Sequence, residues 1–393
     1  SVALDTQAFA RAIERPAAIV DIGGGSLQIS LFDKDTLVST QNFRMGVLRM
    51  RSTLDHIGAG IRRYDQLVTE LVSSQLSIFT KMIVKDRRVE NIVLLDDYVS
   101  PVISRLKTGG EQGVVNAKQF VAYIDDTLNH SSRETAKLLD ISEDNVQLMY
   151  ISGLLVKCII SHLGAETLWA PGVTLCDGIA YEYAEERGLL VEPHDFEQDI
   201  VACARNIAKR YQGSKSRSET LQAICLAIFD AMGETHGLGG RERLLLQIAT
   251  ILHDCGKYIN LINLAECSYN IILSTEIIGL SHRERAIVAN VVRYNHEEFD
   301  YYESTAFLSR GLDHDAYLII AKLTAILRIA NALDRTHKQK FRNVRIQVEE
   351  GRLVIQVDTN ADITLEKGLF GNRAAFFEQI YGLKPVVIQK RLL

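Results

Sequence analysis

A chain of 393 residues is long enough for two or three domains, each with its own core. Its composition, 47% hydrophobic and 24% charged, is that of an ordinary globular protein. A net charge of −5, from 44 basic and 49 acidic residues, argues against general attraction to nucleic acid or to a membrane surface.

The first element is the apolar, β-branched run Ala17-Ala18-Ile19-Val20, leading through Asp21-Ile22 into Gly23-Gly24-Gly25-Ser26 and an alternating strand Leu27-Gln28-Ile29-Ser30-Leu31-Phe32. Three consecutive glycines carry no Cβ, so backbone N–H groups in the turn can approach a ligand closely. Converging N–H groups form an anion nest, for which phosphate is the usual occupant. Asp21, at the end of the first strand, is placed to hold a water or a cation beside that phosphate; the alternative is a tight hairpin with no ligand. A third strand is expected over residues 37–43, a helix over Asp65–Val84 and a buried strand at Asn91–Leu95. Helices follow at Val115–Leu128, Ser131–Leu139 and Val146–Leu163, then a strand at Thr167–Ala170 and a helix at Gly178–Glu186. Strands followed by helices give an α/β domain over 1–192, with its boundary in Arg187–Pro193.

From residue 193 to 340 the strand signal disappears. Phe196–Tyr211, Ser218–Thr235, Arg241–Asp254, Tyr269–Glu276, Ser281–Asn295 and Ala316–Leu333 carry apolar residues at i, i+3 and i+4, which makes this an all-α domain. The polar stretch Gln212–Ser218 reads as a mobile loop. In residues 341–393 the period returns to two: Val344–Val348 and Leu353–Val357 form a hairpin, and a helix (Asn372–Tyr381) and strand (Pro385–Gln389) complete a small α+β domain.

No apolar run reads as a membrane span, and no signal peptide opens the chain. The cysteines (Cys158, Cys176, Cys203, Cys225, Cys255 and Cys267) include no C-x-x-C pair and read as reduced, mostly buried thiols of a cytoplasmic protein.

A second constellation lies in the helical domain, where Leu252-His253-Asp254-Cys255-Gly256 sets an imidazole beside a carboxylate at a helix end. Such a pair suits a hard or borderline divalent cation, with His296 and Asp334 as candidate further ligands. The alternative is a structural helix terminus, with Asp254 in local hydrogen bonds and Gly256 ending the helix.

Asp21–Ser26 with Gly46 downstream, Val173–Gly178, His253-Asp254 and Leu327–Asp334 occur in the order found in the exopolyphosphatase/guanosine pentaphosphate phosphatase family, which the chain resembles over nearly its whole length. The resemblance implies a ribonuclease-H-like domain of actin and sugar-kinase type, then an HD-type helical domain. It implies Mg²⁺-assisted hydrolysis of polyphosphate or guanosine pentaphosphate by a homodimer, with Asp21 and Gln28 at the reaction centre and Gly23, Gly24, Gly25 and Ser26 on phosphate. With only twenty residues before Asp21, the chain reads as lacking the N-terminal half that brings the family's first phosphate loop and catalytic glutamate. Gln28 stands where the family carries glutamate, and Asp96-Asp97 replace its second glycine turn. Arg217, Cys267 and Asn331 stand at or near usual metal-ligand positions, leaving His253, Asp254 and His296 as a degenerate site. Three functions follow: a phosphoanhydride hydrolase, expected to be slow in this chain; a non-catalytic phosphate or alarmone binder; and an HD metallophosphohydrolase.

Overall fold

The computed structural model describes residues 16–33, 36–58, 63–106, 114–190, 195–300, 312–341 and 344–391. Contacts divide the chain into two units, Ser1–Asp195 and Phe196–Leu393.

The first unit is built on a six-stranded sheet. Strands β1 (Ala17–Ile22), β2 (Leu27–Asp33) and β3 (Thr36–Phe43) form an antiparallel meander whose buried positions are apolar except Ser30 and Thr40, which hydrogen-bond to each other at 3.0 Å. β1 is also the neighbour of β4 (Asn91–Leu95), in parallel, which demands a crossover connection. Helices α1 (Val47–Ile57) and α2 (Tyr64–Phe79, continued by a π turn over Thr80–Val84) supply it. Helix α3 (Ser100–Leu106) and the short strand β5 (Val114–Asn116) follow, then α4 (Ala117–Thr127), α5 (Ser132–Leu139), α6 (Glu143–Leu163), β6 (Thr167–Trp169) and α7 (Leu175–Glu186). The sheet order is β3-β2-β1-β4-β6-β5. Helix α6 is apolar nearly all round, carries Glu143 and Asp144 in its first turn, and ends on left-handed Gly164. The expected helix over Val115–Leu128 is corrected at its start. Val114–Asn116 pairs with β6, and Asn116 caps α4 by accepting from the Lys118 and Gln119 amides.

The second unit opens with helices α8 (Phe196–Arg210), α9 (Lys215–Ala231) and α10 (Gly240–Leu252). It continues with a 3₁₀ turn (Cys255–Tyr258), α11 (Leu264–Ser274), α12 (His282–Tyr294) and α13 (His314–Leu333). The stretch taken for a loop up to Ser218 is helical from Lys215, because Leu221, Ile224, Cys225 and Ile228 bury one continuous face against the core. A three-stranded sheet completes the unit: β7 (Val344–Glu349) and β8 (Arg352–Asp358) form the expected hairpin. Left-handed Glu350 and Gly351 make its turn. Helix α14 (Thr364–Tyr381), about two turns longer than the sequence suggests, carries the chain back to β9 (Lys384–Lys390), parallel to β8.

Three helical stretches, Tyr64–Val84, Glu143–Leu163 and His314–Leu333, are long and apolar enough to cross a membrane by length and composition, which corrects the sequence expectation. In α6 and α13, 78% of that stretch is buried within the fold, against 28% in Tyr64–Val84.

Candidate functional site

The glycine turn sits at the carboxyl end of β1 and is closed by the Gly23 amide donating to the Ser26 carbonyl at 2.9 Å. Its carbonyls face the start of α1. Gly23 O accepts from the Val47 amide at 3.0 Å, and Gly24 O from Leu48 at 2.9 Å and Arg49 at 3.1 Å. The Arg49 guanidinium donates to Gly25 O at 3.1 Å. The orphan amides of α1 are therefore satisfied by the turn and not by a ligand. Every peptide bond described is trans, so each N–H opposes the carbonyl of its own peptide unit. The amides of Gly24 and Gly25 point away from α1, and no hydrogen bond among the described residues takes them up.

The glycines of this region do different things. A Cβ on Gly46 would lie 2.3 Å from Ser26 N, 2.4 Å from Gly24 C and 2.5 Å from Gly23 O, so only glycine lets α1 meet the turn. A Cβ on Gly24 would point at α1 and meet the Leu48 Cδ1 at 2.9 Å. A Cβ on Gly25 would meet nothing within 4 Å. Gly25 and Ser26 are exposed, and the open side of the turn is theirs.

Asp21 and Gln28 are register partners on β1 and β2, so their side chains emerge together on one face of the sheet. Partial burial, then the neighbouring Asp97 carboxylate, raise the Asp21 pKa above the ordinary carboxylate value. The parallel neighbour β4 delivers Asp96 and Asp97 to the same sheet edge. Asp96 has a structural occupation: its Oδ1 accepts from the Tyr98 amide at 2.6 Å and the Val99 amide at 2.8 Å, and its Oδ2 from Ser152 Oγ. Burial still pushes its pKa up to about 6. Asp21 and Asp97 remain as carboxylates near the turn. Mg²⁺ is commonly held by one or two carboxylates with its other positions on water and phosphate oxygens, so these two fit such an ion in kind.

In the second unit, His253 ends α10 and Asp254 follows it, both buried. The His253 Nδ1 donates to the Thr250 carbonyl at 2.8 Å, while Nε2 lies 3.8 Å from Asp254 Oδ2 without a hydrogen bond. Around Asp254 Oδ2 stand Lys257 Nζ at 3.4 Å and Arg217 Nη1 at 3.9 Å. Arg217 Nη2 donates to Asn331 Oδ1 at 2.8 Å. His296 Nε2 is 3.4 Å from the carbonyl of His253, and Asp334 Oδ1 accepts from the Gln339 amide at 2.9 Å. Among the described residues no three His, Cys, Asp or Glu side chains are grouped to hold a metal, so His296, Asp334 and Cys267 do not join His253 and Asp254 in a ligand set. Gly256 is also corrected as a helix terminator. Its φ is not positive, and the backbone of α11 approaches so closely that a Cβ would lie 2.5 Å from Leu264 O and from Ser268 N.

Two family models match. One, described as the Ppx/GppA phosphatase family, covers residues 7–187; the other, Ppx/GppA phosphatase domain III, covers 201–372. The chain belongs to the Ppx/GppA phosphatase family. A solved Ppx/GppA family member from Aquifex aeolicus shares 13% identity at a TM-score of 0.36, over 48% of this chain and 61% of that one. An exopolyphosphatase from Cytophaga hutchinsonii shares 13% at 0.35, over 44% and 58%. An exopolyphosphatase-like protein shares 15% at 0.38, over 45% and 62%. The chain thus spans about three-fifths of the length of these relatives. The mixed α/β sheet domain, followed by a helical region and a small terminal sheet, is consistent with the Ppx/GppA fold. Sequence reasoning missed the capping role of Asp96, although an Asp two and three residues before free amides, ahead of Ser100-Pro101, is a readable turn signal.

Proposed function

We propose that this Ppx/GppA chain binds the terminal phosphates of a polyphosphate-type substrate at Gly24, Gly25 and Ser26 and hydrolyses the phosphoanhydride. The observation that carries this reading is the pair of unclaimed amides turned away from α1 on the open side of the glycine turn. Asp21 orients the attacking water and accepts its proton; a carboxylate whose pKa lies above the ordinary value is the better base for it. Gln28, on the same face, hydrogen-bonds that water or a phosphate oxygen but takes no proton. Mg²⁺, when bound, would offset the charge that builds on the phosphate oxygens, and Asp97, beside Asp21, is the side chain that would hold it and leave Asp21 free as the base. Polyphosphate and guanosine pentaphosphate both present such a terminal anhydride.

A second reading, a phosphate binder without catalysis, is favoured by the amide at Gln28 and by the occupation of Asp96 as a cap. Phosphate release from tripolyphosphate with Mg²⁺, measured beside calorimetric binding of the same compound, separates the two. Slow release that Asp21→Asn reduces at least tenfold, with binding retained, supports hydrolysis. Binding without release supports the second reading, and absence of binding overturns both.

A further inference from the structure

We infer that the helical unit contains a cation site whose resident cation is the guanidinium of Arg217, and that this side chain closes the site to divalent metal ions. The resemblance to HD-type domains leads one to expect a metal at His253-Asp254; the donor set present does not fit one, and the geometry shows what stands there instead.

The imidazole is still set as a metal ligand sets it. A carbonyl can only accept, so the proton shared with Thr250 O belongs to Nδ1, and Nε2 carries the lone pair. Metal-bound histidines are oriented by this same kind of bond from the other ring nitrogen. The lone pair on Nε2 meets no donor, in a residue that is 0% exposed, and it lies 3.8 Å from Asp254 Oδ2. An imidazole lone pair beside a carboxylate, both shut off from water, makes half of a cation site.

The other half is supplied by α9 and α13. Arg217, 4% exposed, sets Nη1 3.9 Å from Asp254 Oδ2 and donates from Nη2 to Asn331 Oδ1 at 2.8 Å. Asn331 is held in that orientation because its own Nδ2 donates to Asn295 Oδ1 at 3.3 Å. The guanidinium already faces the carboxylates of Asp254 and Asp334, and an aspartate at 331 would add a further negative charge; the amide accepts its hydrogen bond without one. Arg217 offsets the charge of Asp254 from inside the fold, and the part-exposed Lys257, with Nζ 3.4 Å from the same Oδ2, adds a second positive charge. A divalent ion placed among these groups would face a fixed positive charge at close range and out of water, where like charges repel strongly. It would also find one imidazole and one carboxylate, short of the three or four protein ligands that a structural or catalytic zinc takes.

Elemental analysis and thermal melts of the full chain after dialysis against Zn²⁺, Co²⁺ and Mn²⁺ test this directly. The unsubstituted chain is expected to retain a small fraction of one equivalent of metal and to melt at the same temperature with and without EDTA. Arg217→His combined with Asn331→Asp removes the guanidinium and adds two ligands to His253 and Asp254. It should take up about one equivalent of Co²⁺, with the visible absorption of cobalt bound by nitrogen and oxygen and a melting temperature raised by the metal. Adding His253→Ala should abolish that uptake. Should the double variant not fold, Arg217→Ala answers the same question: it should melt lower than the parent, and guanidinium far below denaturing concentrations should raise its melting temperature where urea at equal concentration does not. A stoichiometric metal on the unsubstituted chain that His253→Ala removes would overturn the inference. So would a folded double variant that binds none, or an Arg217→Ala chain indifferent to guanidinium.

Discussion

Replacing Gly25 by alanine separates binding at the glycine turn from folding of the turn. The added Cβ meets no atom within 4 Å and the position has no positive φ, so the native backbone accepts alanine without strain. The reduced freedom of the unfolded chain should stabilise the protein by about 0.4–1 kcal/mol. The methyl enters the open side of the turn, where an anion on the Gly24 and Gly25 amides has to sit. Hydrogen bonds to a charged group contribute about 1.5–3 kcal/mol each, so losing two costs at least about 3 kcal/mol, or roughly a hundredfold in Kd. Calorimetry with tripolyphosphate should show that loss while the melting temperature holds or rises. Gly46→Ala is the counter-case: its Cβ would lie 2.3–2.5 Å from backbone atoms of the turn, and the protein should be severely destabilised. Gly24→Ala presses only on the tip of Leu48, a side chain 50% exposed, and should bind more nearly as the parent does. Unchanged tripolyphosphate binding by a folded Gly25→Ala chain would refute the placement of phosphate at these amides.

Two pH effects follow from buried groups. The folded pKa of Asp96, about 6 against 3.8 unperturbed, means that the native state holds a proton the unfolded state has lost between pH 4 and 6, so stability falls as pH rises through that window, by about 3 kcal/mol in all. Asp96→Asn keeps an acceptor for the Tyr98 and Val99 amides, so it should flatten that slope in denaturant titrations and raise stability at pH 7; an unchanged slope would refute the assignment. His296 behaves in the opposite sense. Burial lowers its pKa to about 4 from 6.5, so stability falls as pH drops from 6.5 toward 4, again by about 3 kcal/mol. His296→Gln should remove this acid-side loss, and an unaltered acid slope would show that the imidazole is not held neutral by burial.

Much of the architecture is legible in local pattern. The strands on either side of the glycine turn, the helix around Val146–Leu163 and the terminal hairpin show themselves by period and turn chemistry, because side-chain alternation and backbone conformation are settled over a few residues. The glycine turn was legible as a turn for the same reason. What each glycine does was not. Gly23–Gly25 look alike in sequence, and only the packing of α1 shows that Gly24 faces Leu48, that Gly25 faces open space, and that Gly46 permits the contact. Helix starts at Lys215 and Leu264 were missed because the core they pack against, and not local propensity, extends them. The cation site depends on tertiary structure most of all. Arg217 and Asn331 are 114 residues apart, and a sequence comparison can mark both as substitutions at ligand positions. That they bond to each other above Asp254, with a guanidinium in place of an ion, is decided by three helices meeting, and burial makes that one pairing matter by excluding the water that would otherwise screen it.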